Sequence, residues 1–85
     1  MNGLVTGSQL RAGRALAGLT QRGLGAALGV DERQVRFWER RIPAQLRKRA
    51  AIERAFADRG VVFFSAPVIG VGLVSDTQRE TSSHG

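Results

Sequence analysis

The stretch Gln21-Arg22-Gly23-Leu24-Gly25-Ala26-Ala27-Leu28-Gly29-Val30-Asp31-Glu32-Arg33-Gln34-Val35-Arg36-Phe37-Trp38-Glu39-Arg40 decides how this chain is read. Thr20 precedes it as an N-cap, and Gln21–Leu28 is predicted as a short helix with Leu24 and Leu28 four apart on its inner face. Gly29 stands where a left-handed residue ends a helix. Asp31 is the next N-cap and opens a helix to about Arg40 that buries Val35 and Trp38. Small Gly25 sits where the second helix must approach the third closely. Two short helices crossing steeply through a tight glycine turn are a geometry in which one helix braces on a duplex backbone and the next enters the major groove.

Outward from this centre, Ser8 is a plausible N-cap for a first helix to Ala17, stopped by Gly18, and residues 1–6 read as a loose leader. Pro43 suits a first helical turn, which predicts a fourth helix to about Arg59, capped by Gly60. Leu46, Ile52, Ala55 and Phe56 form its apolar side. Arg49 interrupts that side, its stem expected along the core and Glu53 one turn on as its expected partner. Val61–Phe64 and residues 71–74 are short apolar runs around a turn with Pro67, which predicts a β-hairpin. Residues 76–85 hold no apolar side chain and are expected to be disordered. The expected organisation is a helical domain over 1–60, a hairpin extension over 61–75 and a polar tail over 76–85. The predicted core is Leu10, Leu24, Leu28, Val35, Trp38 and Phe56.

Composition narrows the chemistry. The chain has 85 residues and a net charge of +6, with 13 Lys plus Arg against 7 Asp plus Glu, and Lys48 is the only lysine. That length holds one small domain with one modest core. There is no Cys, and His84 near the end is the only histidine. Thiolate zinc sites, Cys nucleophiles and imidazole triads are therefore unexpected, and neither a metal nor a cofactor nor an enzymatic activity is predicted. No run approaches the ~18 apolar residues of a membrane span, and the N-terminus lacks a signal-peptide layout, so a cytoplasmic location is expected. An excess carried by arginine points to bidentate bonding with phosphates and base edges.

A helical wheel of residues 31–40 directs that charge. Val35 and Trp38 point one way, and Arg33, Arg36, Phe37 and Arg40 occupy the opposite arc. Arg33 suits guanine O6 and N7, Phe37 a thymine methyl, and Glu32 the amino group of cytosine. From Arg33 to Arg49 there are seven cations and one anion, Glu39.

These residues resemble the Cro/repressor-type, or xenobiotic-response-element-type, helix-turn-helix family. The resemblance lies in Leu10-Arg11-x-x-Arg14, Gly18-Leu19-Thr20-Gln21, Leu24, Gly29-Val30 and Val35-x-x-Trp38-Glu39, and it covers residues 8–56. It implies a mainly α, lambda-repressor-like helix-turn-helix bundle of four helices, here with a C-terminal β-hairpin, that binds operator DNA as a homodimer. By the same resemblance Glu32, Arg33, Gln34 and Phe37 face bases. Gln21 and Arg36 meet backbone phosphates, and Arg14 and Glu39 form a buried ion pair; Arg22, Arg40 and Arg41 are expected at phosphates from their charge. Gly25 departs from the family's usual alanine, and the usual glycine and longer loop after Glu39 are missing. The expected function is sequence-specific double-stranded DNA binding by a small transcriptional repressor. The 61–74 hairpin, apolar on both faces, is its expected dimer contact. Two alternatives stay open: an antitoxin or phage-type regulator that also binds a partner protein, and a protein-interaction module that keeps the helical shell without DNA function.

Overall fold

A computed structural model describes residues 3–74. The chain forms α1 (Gly7–Ala17), α2 (Gln21–Leu28), α3 (Glu32–Arg40), α4 (Arg49–Ala57), β1 (Val61–Phe64) and β2 (Gly70–Leu73). The predicted mainly helical bundle with a C-terminal hairpin is the fold observed. Thr20 caps α2 through the Gly23 N–H at 2.9 Å, and Asp31 caps α3 through the Gln34 N–H at 2.9 Å. Gly29 ends α2 with φ 74°, the left-handed conformation that its position requires.

Gly25 packs closely, but against the turn that enters α3 rather than against α3 itself. A Cβ there would lie 2.6 Å from the Val30 carbonyl oxygen. Gly7 plays the same part for α1, because a Cβ would overlap the Glu39 carbonyl at the end of α3. Two glycines thus set how closely α1 and α2 approach the third helix and its turn.

Five expectations are corrected. The N-cap of α1 is Thr6, not Ser8. Thr6 and Gln9 form a capping box, with the Gln9 N–H donating to Thr6 Oγ1 at 3.1 Å and Gln9 Oε1 accepting the Thr6 N–H at 3.0 Å. The leader is not loose over its described part, because Leu4 is fully buried and its N–H donates to Glu53 Oε2 at 2.7 Å. Glu53 is thereby tied to the N-terminal segment instead of to Arg49, whose Nε is buried without a hydrogen-bond partner. The fourth helix starts at Arg49 and ends at Ala57 instead of running from Pro43 to Arg59. Residues 42–48 instead turn at 44–45 and 47–48 and lay Ile42 and Leu46 on the core. Lys48 at the end of this segment donates to the Leu28 carbonyl at 3.4 Å, one of the carbonyls left open at the end of α2. Finally, Leu28 is only partly buried and packs against the core from outside.

The core consists of Leu4, Leu10, Leu24, Val35, Trp38, Ile52, Phe56, Val61 and Phe63. The hairpin enters it directly. Val61 pairs with Leu73 and Phe63 with Val71, so these four share one face as the alternation predicts. Phe63 meets Phe56 edge to face, with ring centroids 5.1 Å apart at 82°. On the other face the Phe64 ring lies over Gly70 and Gly72, which fills the space their missing side chains leave. Gln9, only 3% exposed, joins three segments. The two N–H groups of its Nε2 are shared among the carbonyls of Gly3, Phe64 and Gly70, at 3.1, 2.7 and 3.0 Å. The tail expected over residues 76–85 lies outside the described residues.

Candidate nucleic-acid interface

Helix α3 has one side in the core and one in solvent. Val35 is fully buried and Trp38 is 5% exposed, which fixes the rotation of the helix. Arg33, Arg36 and Arg40 are then exposed, and Phe37 stands 44% exposed among them. Arg41, at the end of the helix, and Arg22, on α2, are also exposed. Gln34 is half-buried beside the Asp31 cap. Among the described residues, the side chains of Arg33, Arg40 and Arg41 have no hydrogen-bond or ion-pair partner.

The platform beneath this strip is a polar joint. Arg14 Nε donates to Glu39 Oε2 at 2.6 Å and Arg14 Nη2 to Glu39 Oε1 at 3.3 Å, a two-pronged pair with the carboxylate side chain only 7% exposed. Arg14 Nη1 also donates to the Leu19 carbonyl at 3.0 Å, and Gln21 Nε2 donates to Glu39 Oε1 at 3.1 Å. One carboxylate therefore joins α1, the start of α2 and the end of α3. The expected Arg14–Glu39 pair is present. Gln21, expected at a phosphate, spends at least one amide hydrogen on Glu39.

Two open grooves flank Arg36. One, of about 310 Å³, is lined by Arg11, Arg14, Gln21, Arg36, Glu39 and Arg40. The other, of about 460 Å³, lies between α2 and the start of α3 and is lined by Arg22, Ala26, Val30, Asp31, Glu32, Arg33 and Arg36. In the second groove Arg36 Nη1 donates to Glu32 Oε2 at 3.0 Å, and Arg22 Nε stands 3.8 Å from Glu32 Oε1. The Glu32 carboxylate, expected at a base edge, is thus shared between two guanidiniums.

Arg11 is a member of the basic surface that the sequence reading omitted. The signal was present: Arg11 lies three residues before Arg14 on the same helix face, and Arg14 points at α3. Of the expected groups, Gln21, Arg22, Glu32, Arg33, Arg36 and Arg40 line the two grooves that meet at Arg36, whereas Phe37 and Arg41 line another groove with Val5, Ile42 and Pro43. Among the described residues there is no cluster of three or more His, Cys, Asp or Glu, and no helix is long and apolar enough to cross a membrane.

The class defined at this point is a small mainly helical bundle with a terminal hairpin and an arginine-rich exposed helix. A comparison with protein-family models finds no match for the chain, and a search of curated proteins finds no relative.

Proposed function

We propose that this chain is a sequence-specific double-stranded DNA-binding protein of the Cro/repressor type, acting as a small transcriptional repressor without enzymatic activity. The observation that carries this reading is the two-sidedness of α3. Val35 and Trp38 lock one side into the core, and Arg33, Arg36, Phe37 and Arg40 are exposed on the other. Three exposed guanidiniums around a half-exposed aromatic ring suit a groove that offers guanine acceptors, thymine methyls and flanking phosphates. In this reading Arg33, Gln34 and Phe37 face base edges, with Glu32 beside them. Arg22, Arg36, Arg40 and Arg41 meet phosphates, and Gln21 braces the start of α2. Arg11 joins the phosphate contacts from α1.

A salt titration of duplex binding tests the reading. The logarithm of the binding constant falls linearly with the logarithm of salt concentration, with a slope of about −0.9 for each phosphate neutralised. Arg33→Ala weakens a site selected from a random duplex pool by about 1–3 kcal/mol and relaxes preference at one position. Arg40→Ala weakens all duplexes about equally and makes the slope shallower by about 0.9. Binding that responds neither to salt nor to these substitutions supports the protein-interaction module instead.

A protein contact belongs to the proposal as well. Val68, Ile69 and Leu73 on and around the hairpin are 62%, 56% and 61% exposed. We assign this surface to a second copy of the chain, which gives a homodimer with two recognition helices about 34 Å apart on one side of a duplex. The antitoxin reading places a different protein on the same surface.

A further inference from the structure

The shared carboxylate of Glu32 sits where a protein that held DNA only by charge would not place one. Glu32 opens α3, and its side chain, 39% exposed, faces the groove between α2 and α3. It holds Arg36 at 3.0 Å from the next turn of its own helix and lies 3.8 Å from Arg22 across the groove. Those guanidiniums are 47% and 87% exposed, so the cluster is open to an incoming anion. An exposed pair of this kind adds little to stability, about 0–1 kcal/mol. Its larger consequence is for what the two arginines can bind.

Phosphates recur identically along every duplex, so Arg22 and Arg36 unopposed would favour all sequences alike. Glu32 opposes this in two ways. It occupies an Arg36 N–H that a phosphate would otherwise take, and it brings a negative charge beside Arg22 and towards a negative backbone. A matched site offsets the cost, because the groove there can present a base amino group to the carboxylate. A phosphate-only encounter has no such donor.

We infer that Glu32 is a specificity-determining counter-ion that pairs with Arg36, stands beside Arg22 across the α2–α3 groove, and weakens phosphate-only binding relative to binding at a matched site. The inference rests on the DNA-binding reading above. Glu32 acts on phosphate binding through the two arginines, and at a matched site through its own carboxylate.

The test uses the full chain and two duplexes of equal length, one selected from a random pool and one scrambled. Each is titrated over a fourfold range of salt with wild type, Glu32→Gln and Asp58→Asn. Asp58 is exposed at the end of α4. It supplies the same change of net charge at a remote position, and thermal unfolding checks that each variant is folded. With Glu32→Gln, scrambled-duplex binding tightens and its slope steepens by about 0.9–1.8, one to two phosphates gained. The selected-to-scrambled ratio falls by about three- to tenfold. Asp58→Asn leaves both unchanged, and adding Arg22→Gln to Glu32→Gln removes about half of the gain in slope. If Glu32→Gln behaves as Asp58→Asn does, or weakens only the selected duplex, the counter-ion role is wrong and Glu32 is respectively inert or a plain base reader. A wild-type chain that binds neither duplex overturns the DNA-binding reading itself, and this inference with it.

Discussion

Glu39 is the residue at which the basic side of the molecule is assembled. Its carboxylate, almost out of solvent, accepts from Arg14 twice and from Gln21 once. Burying an ion pair is a weak source of net stability, yet removing one partner strands the other. Arg14→Met therefore destabilises the fold by about 3–5 kcal/mol in denaturant unfolding, towards the lower end because Gln21 still donates to the carboxylate. The double variant Arg14→Met with Glu39→Leu recovers most of that loss, since no charge is left buried. A single variant as stable as wild type would show that water reaches Glu39 freely. The pair was legible in the sequence through the family resemblance. The part taken by Gln21 was not, because nothing in the spacing says which carboxylate an amide at the start of α2 will find. Glu32 divides the same way: Arg36 at i+4 is a partner that spacing supplies, and Arg22 on another helix is a partner that only the fold supplies.

Helix α2 carries two glycines that composition alone cannot tell apart, Gly23 and Gly25. Each weakens a helix interior by about 0.5–1 kcal/mol relative to Ala. Their surroundings differ. A Cβ at position 25 runs into the Val30 carbonyl at 2.6 Å, a backbone atom of the turn that aims α3. At position 23 it meets the capping Thr20 hydroxyl at 3.1 Å and Leu19 at 3.7 Å, side-chain contacts that a shift of a few tenths of an ångström relieves without breaking the cap. Gly25→Ala is expected to cost about 1–3 kcal/mol through overpacking, net of its gain in helix propensity, whereas Gly23→Ala stays within about 1 kcal/mol of wild type. Thermal unfolding of the two variants separates them, and equal stability of both would show that the turn has slack. At this scale α2 and α3 could be read from local chemistry because each has its own cap residue and its own apolar stripe. Helix α4 could not. Its start is set by Leu46 and Ile42 seeking the core and by Lys48 reaching the end of α2, contacts between segments distant along the chain. Leu4 was missed for a related reason: a lone leucine in an extended leader has no periodicity to declare it buried.

Across the whole molecule, most of the exposed apolar surface, that of the hairpin, lies apart from the arginines, with Phe37 among them as the exception. Helix α3 packs on α1 and α2, and the hairpin packs on α1 and α4. Residues 61–74 contain no ionisable side chain in a chain of net charge +6. Two copies repel wherever their arginines meet, and this neutral segment is where they approach at least electrostatic cost. Both strands of the two-stranded sheet also keep an outer edge without a sheet neighbour, among the described residues. Deleting the hairpin is no test of its role, because Val61 and Phe63 are core residues and the fold would go with them. Leu73 and Val68, both more than half exposed, can be changed without opening the core. The variant Leu73→Lys with Val68→Lys is therefore expected to keep its unfolding temperature while its sedimentation shifts from dimer to monomer. Affinity for a two-half-site duplex then falls by about 10²–10⁴-fold, the advantage of tethering the second recognition helix, while affinity for a single half-site stays as it was. A wild-type chain that sediments as a monomer at concentrations where it saturates the duplex would free the hairpin from this role and leave it to a different protein partner.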